Sequence, residues 1–344
     1  MDLMTKRILW YVGITVGLCS LLFFTNIEAE STSQKALFAK AEERKSITFL
    51  MGEDKPGYQY FTLAEEHFLY DEEEKTDQLI KSCRSLEDLI GFLNKEQDEV
   101  KYSNIQIVLH GNPYNGLSLP ISKEGPRATP KNLVKAMLEG KLPRLKSNAI
   151  DSLTKINFWG CGIGKNPFIN MALDSFFNPA HGLQPEIYTS PHFVIFDTPK
   201  DSLIPKRLKA SYWPYVYKRG YRPGDREIAE AMRTQFPETE ISWKEAIEND
   251  DLEEMYRNEF HIPVSWTIIY PSNESRPEVS SEKDKMDWVR SQTNLMDKIS
   301  ETQIPLEKFT WTVNKIIHTK EDGTKVPAIK GIGMATVLCI MDPL

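Results

Sequence analysis

An α/β fold around a mostly parallel sheet is what this chain predicts, and three observations carry the prediction. Residues 104–109 and 156–159 form apolar, β-branched and aromatic runs, the pattern of strands buried on both faces. Two helices are announced by a capping residue followed by proline, Thr129-Pro130 and Asn166-Pro167. Strand patterns alternate with helical ones from residue 46 to 196, which argues for parallel pairing with helices on both faces.

Ser-Ile-Thr-Phe-Leu-Met at 46–51 reads as a first strand, stopped by Gly52-Glu-Asp-Lys-Pro56. A short second strand is expected at 66–70, closed by the acidic run 71–74. Ser85 caps a helix whose apolar face is Leu86, Leu89, Ile90 and Leu93. A strand then ends in His110-Gly111, ahead of the turn Asn112-Pro-Tyr-Asn-Gly116. The helix from Pro130, the strand ending before Gly160-Cys161, the loop 162–165 and a helix from Pro167 to Phe177 complete this half. Residues 186–189 and 192–196 supply further strands. Residues 225–233 form a helix, and Ser242 with Glu245 opens another as a capping box. A late strand of the main sheet is expected at 262–270. Residues 271–303 are poor in apolar side chains and rich in Ser, Glu and Lys, a composition expected of a polar linker or mobile insert. The tail, 309–318 and 325–341, is two β-rich runs joined by Glu321-Asp-Gly323, a hairpin signal.

The first residues read as an export signal. Lys6 and Arg7 precede an apolar stretch, 8–24, and Ala29 is a small residue suited to cleavage. The organisation expected is a signal peptide at 1–29, an α/β domain at 45–271, the linker at 272–303 and a small β addition at 304–344. The mature chain is then secreted or periplasmic. Left uncleaved, the apolar stretch is a membrane anchor, although its length is at the short end for a span. A net charge of −7 without a basic stripe gives no reason to expect nucleic acid. Cys83, Cys161 and Cys339 remain after cleavage, and an odd count in an exported chain leaves at least one free thiol. Cys83 and Cys339 can pair with each other, or Cys339 can be an ordinary buried strand residue.

Two side chains carry the chemistry. If the strands ending in His110 and Cys161 are neighbours, an imidazole and a thiol stand at one sheet edge, the parts of a cysteine-nucleophile hydrolase. Glycine on both sides of Cys161 lets the backbone turn and a substrate approach. The amide N–H groups of Cys161 and Gly111 are candidate oxyanion donors. The other histidines, at 67, 181, 192, 261 and 318, show no ligand spacing, so no metal site is expected.

At these residues the chain resembles the clan CD cysteine peptidases (caspases, legumains, gingipains and clostripain). In that clan a hydrophobic block precedes His-Gly, and a second precedes a small residue and Cys. Here the blocks are 105–109 before His110-Gly111 and 156–159 before Gly160-Cys161, and Cys161 lies 51 residues after His110. That interval suits the spacing of about 50 known for caspases. Trp159-Gly160-Cys161-Gly162-Ile163 replaces the caspase form Gln-Ala-Cys-x-Gly, marking a distant relative. The likeness covers residues 45–200 and implies a caspase-like three-layer sandwich. It also implies a peptide or protein substrate, Cys161 as nucleophile and His110 as acid and base, with no cofactor. Asp197 is a candidate for binding a basic substrate side chain, or simply the start of a turn before Thr198-Pro199. Thr267 stands where a caspase arginine would bind a substrate aspartate.

Two other classes compete. Leu109-His-Gly-Asn-Pro113 also resembles the oxyanion segment of α/β-hydrolases, with Cys161 as an elbow nucleophile and His261 or His318 as base. The elbow needs glycine two residues either side of the nucleophile, where this chain has Trp159 and Ile163. A third reading is an inactive, caspase-like binding protein using the aromatic stretch Tyr212, Trp213, Tyr215, Tyr217 and Tyr221.

Overall fold

A computed structural model describes residues 44–95, 101–146, 150–179, 184–248 and 256–343. The expected signal segment, 1–29, lies outside the described residues.

The first half forms one parallel sheet. Its strands are β1 (Lys45–Leu50), β2 (Gln78–Ile80), β3 (Tyr102–Val108), β6 (Lys155–Trp159) and β7 (Glu186–Thr189), in the order β2-β1-β3-β6-β7. A two-stranded ribbon, β4 (Gly111–Asn112) with β5 (Gly116–Leu117), comes directly after β3. Ile47, Phe49, Ile105, Ile107, Ile156 and Phe158 alternate onto one sheet face. There they meet α2 (Leu86–Lys95), α3 (Pro130–Leu138) and α4 (Pro167–Phe177) in the largest core. The caps stand where the sequence puts them. Ser85 Oγ accepts from Asp88 N at 3.0 Å, Thr129 Oγ1 from Asn132 N at 3.3 Å, and Asn166 Oδ1 from Phe168 N at 3.0 Å.

Residues 66–70 are not a strand. They belong to α1 (Tyr60–Tyr70), which lays Phe61, Ala64 and Phe68 on Leu50, Val108 and Trp159 of the opposite sheet face. The apolar run Phe68-Leu69-Tyr70 imitates a strand, and the helix wins because Ala64 and Phe68 recur at helical spacing.

The second half is an antiparallel sheet of β8 (Phe193–Asp197), β9 (Lys206–Lys218), β10 (Tyr256–Ile269), β11 (Thr310–Thr319) and β12 (Lys325–Pro343). Three expectations change here. Residues 262–269 pair with β12, not with the parallel sheet. The tail is no small addition, since β12 is the strand on which β9, β10 and β11 all pair. The polar stretch 271–303 contains α7 (Glu282–Ser291) and α8 (Thr293–Glu301), opened by a Ser281–Asp284 capping box. Few apolar residues suffice there because Trp288, Val289, Leu295 and Ile299 all go into one core. The hairpin at Gly323 is as expected, with Gly323 at φ +82°. On the sheet's other face, α5 (Asp225–Gln235) and α6 (Trp243–Glu248) bury Ile228, Met232 and Trp243 against Leu338 and Ile340.

Charge pairs tie the halves together. Arg207 of β9 pairs with Glu74, which also accepts from His67 Nε2 at 2.8 Å, while Lys206 meets Asp71 at 2.5 Å. Burial opposes ionisation of Glu74, yet the hydrogen bonds from His67 and Arg207 and the Arg207 charge hold its pKa down at about 2. The carboxylate therefore stabilises the fold fully above its ordinary value of 4.5, and loses that effect as pH falls toward 2. Glu74→Gln should cost about 3 kcal/mol at neutral pH in urea unfolding, with the gap to wild type narrowing on acidification. A gap independent of pH would show that charge is not the tie.

Candidate active site

Parallel pairing builds the site. β3 and β6 are hydrogen-bonded neighbours with Val108 opposite Trp159. The pairing stops at that pair, and His110 and Cys161 each follow two residues beyond their strand ends at the same sheet edge. In this strand order the direction of winding reverses between β1 and β3, and ligands of open α/β sheets bind beyond the strand ends at such a switch point. His110 ends the strand on one side of it.

The local sequence fixes both side chains. The His110 ring stacks on Tyr60 at 4.7 Å and meets Phe61 edge-on at 4.9 Å, both from the start of α1. Although the residue remains open to solvent, this packing desolvates the ring and lowers its pKa below the usual 6.5. The Asp54 carboxylate opposes that shift and Lys55 adds to it. Asp54 is itself held by Phe61 N and Thr62 N, each at 2.8 Å, and so caps α1 from a loop six residues upstream.

Cys161 sits in a tight turn. Gly162 adopts φ +67°, and a Cβ there would lie 2.2 Å from the Tyr212 hydroxyl, so only glycine fits. A Cβ on Gly160 would lie 2.9 Å from Leu109, and one on Gly111 2.8 Å from Ile163. Gly162 N and Gly164 N donate to His192 O and Ser190 O, each at 2.9 Å, whereas the Cys161 N–H is spent on no described residue. Gly111 enters the ribbon opposite Leu117.

The sulfur faces the second sheet. Cys161 Sγ lies 3.6 Å from Val194 O of β8, and the residue packs against the core that holds Tyr212 and Cys339. Burial pushes the thiol up to about 11, although the Val194 contact pulls the other way. At neutral pH about one molecule in ten thousand then carries the thiolate. No hydrogen bond joins His110 to Cys161 among the described residues. Tyr60 links their surroundings: its ring stacks on His110, and its hydroxyl donates to Trp159 O at 3.1 Å, two residues before the sulfur. Burial, and then the Cys161 charge, raise the Tyr60 pKa.

The remaining candidates lie elsewhere. Asp197 is exposed at the far end of β8 and accepts from Thr198 N at 2.8 Å, the turn-starting contact. It stands about 10 Å along the strand from Val194. His261 meets Thr336 Oγ1 at 3.1 Å, and His318 is on β11; neither is hydrogen-bonded to Cys161. Of the aromatic stretch, Tyr212 and Tyr217 are buried and Trp213 and Tyr215 line a core, leaving Tyr221 exposed. Cys83 and Cys339 are free thiols in different cores. Among the described residues no His, Cys, Asp and Glu cluster is arranged for a metal, and no helix is long and apolar enough to cross a membrane.

Comparison with protein-family models, curated proteins and solved structures finds no match. The parts played by Tyr60, Asp54 and Tyr212 at this edge escape a reading of the sequence. Only Asp54 leaves a signal, as a helix-capping residue type directly after a strand.

Two measurements check this geometry. Alkylation of Cys161 by iodoacetamide, monitored at its own peptide by mass spectrometry, should be slow at pH 7 and keep rising up to about pH 11. A midpoint below pH 8 would contradict the covered sulfur. Asp54→Asn should lower the His110 pKa further, read from its ring protons by NMR, while keeping one capping acceptor; Asp54→Ala, which removes the cap as well, should cost about 1 kcal/mol.

Proposed function

We propose that the chain is a cysteine peptidase with a caspase-like arrangement, exported to act on peptide or protein substrates. The observation that carries the reading is the β3–β6 register, which brings an imidazole and a thiol to one sheet edge beside a glycine-rich turn. In the proposed reaction the Cys161 thiolate attacks the scissile carbonyl carbon. The Cys161 and Gly111 N–H groups receive the oxyanion, and collapse expels the amine, which takes its proton from His110. Water then attacks the thioester, giving a proton to His110 and releasing the acid. Asp197 is kept as a candidate for a basic substrate side chain, reached by a peptide running along β8.

Turnover demands two changes from the resting arrangement. The sulfur must leave Val194 O, and its proton must pass to an imidazole that is not yet hydrogen-bonded to it. The same facts favour a second reading, an inactive caspase-like binding protein, because a thiol held near 11 is a poor nucleophile. The esterase reading is weaker, since the glycines of a nucleophile elbow are absent at Trp159 and Ile163.

The deciding experiment is digestion of a mixed peptide library by wild type and by the Cys161→Ala and His110→Ala variants. A peptidase loses turnover at least about a thousandfold in both. Cleavage that survives either substitution sinks the assignment, and wild type without turnover favours the binding protein.

A further inference from the structure

The face of the parallel sheet under α1 changes character halfway along its strands. At the carboxyl half, Leu50, Val108 and Trp159 are covered by α1. At the amino half the same face carries Ser46, Thr48, Asn104, Gln106 and Asn157. A parallel sheet buried on both faces is expected to be apolar on both, so this polar patch needs a reason. It is also ordered: Thr48 stands opposite Gln106, Gln106 opposite Asn157, and Ser46 opposite Asn104. Above it lies a cavity of about 390 Å³, walled by Arg44, Trp159 and Arg207. That volume is within the about 300–1,000 Å³ of small-molecule sites.

The charges around this cavity are already spent. Arg44 pairs with Asp151 at 2.7 Å, Arg207 pairs with Glu74, and Asp77 accepts from Ser46 N at 2.7 Å. At the rim the exposed Glu73 and Lys75 cancel. The amides are not spent. The Asn104 and Asn157 side chains bond no described residue, and Gln106 uses only its carbonyl oxygen, on Trp159 Nε1 at 2.6 Å. The Arg44 side chain is 3 % exposed, and its Nε has no partner; nor does Nη1 of Arg207. Buried polar groups left open in this way mark a place completed by something else.

We propose that this cavity binds a neutral, polyhydroxylated ligand, a mono- or disaccharide, whose hydroxyl groups are read by the amides of Asn104, Gln106 and Asn157. A carboxamide donates and accepts, as a hydroxyl does, while a wall whose arginines are already paired and whose Asp77 keeps its negative charge offers an anion no net attraction. Trp159, only 4 % exposed and with one ring face covered by Arg207 at 3.6 Å, gives the cavity wall its apolar part. The site is separate from the His110–Cys161 edge and does not depend on the peptidase reading.

The test is calorimetric titration of the full chain with glucose, galactose, mannose, N-acetylglucosamine, maltose, cellobiose and lactose, with citrate and phosphate as ionic controls. At least one sugar should bind, and its affinity should fall by at least about tenfold in Asn157→Leu and in Asn104→Ala, while Cys161→Ala leaves it unchanged. Both amides are half-buried, and an unchanged melting temperature confirms folding; if one variant fails to fold, the other decides. Three results overturn the proposal: no sugar of the panel binds, binding persists in the folded amide variants, or citrate or phosphate competes for the same residues.

Discussion

The pairing of β3 with β6 is the constraint on which the site depends. Parallel strands run the same way, so the residues just past their carboxyl ends emerge at the same edge, and the register decides which side chains meet there. With Val108 opposite Trp159, the interval of 51 residues between His110 and Cys161 is the interval of the register itself. A slip of one residue would turn Cys161 toward Leu109 and α4 and leave the imidazole alone beside Tyr60.

The second sheet sets the state of that pair. β8 lies against α1 through Val194 and Phe196, and its backbone oxygen faces the sulfur. Tyr212 of β9 fills the space over Gly162 so closely that no other residue fits there. The pair of Arg207 with Glu74, and that of the exposed Lys206 with the buried Asp71, fasten these strands to α1. The two halves are thus joined at the thiol, and the cost of uncovering it is set by contacts far from any substrate. A protonated, covered thiol is the physical consequence of that join.

Most of the parallel half is legible in the sequence because its signals are local. Thr129-Pro130 and Asn166-Pro167 cap helices wherever they stand, and β-branched runs before glycine end strands. Residues 66–70 mislead because a short apolar run cannot be told from part of a buried helix by its pattern alone. The second sheet is hidden for another reason. β10 and β12 pair across 59 (Ile269 to Ala328) to 85 (Tyr256 to Met341) residues of chain, and no local pattern reports a partner that distant. Trp288 and Leu295 look like isolated apolar residues in a polar stretch, and only the sheet beneath shows that they are aligned. His110 and Cys161 are found through glycine neighbours and strand ends. Tyr60 and Asp54 are not, because their roles exist only once α1 folds back over the strand ends.

Cross-strand nuclear Overhauser effects between β3 and β6 in labelled protein test the central claim most directly. With the register described, contacts pair Ile107 with Phe158 and Val108 with Trp159, and the His110 ring lies close to the Tyr60 ring. A register displaced by one residue, or β3 and β6 separated by another strand, would contradict that claim.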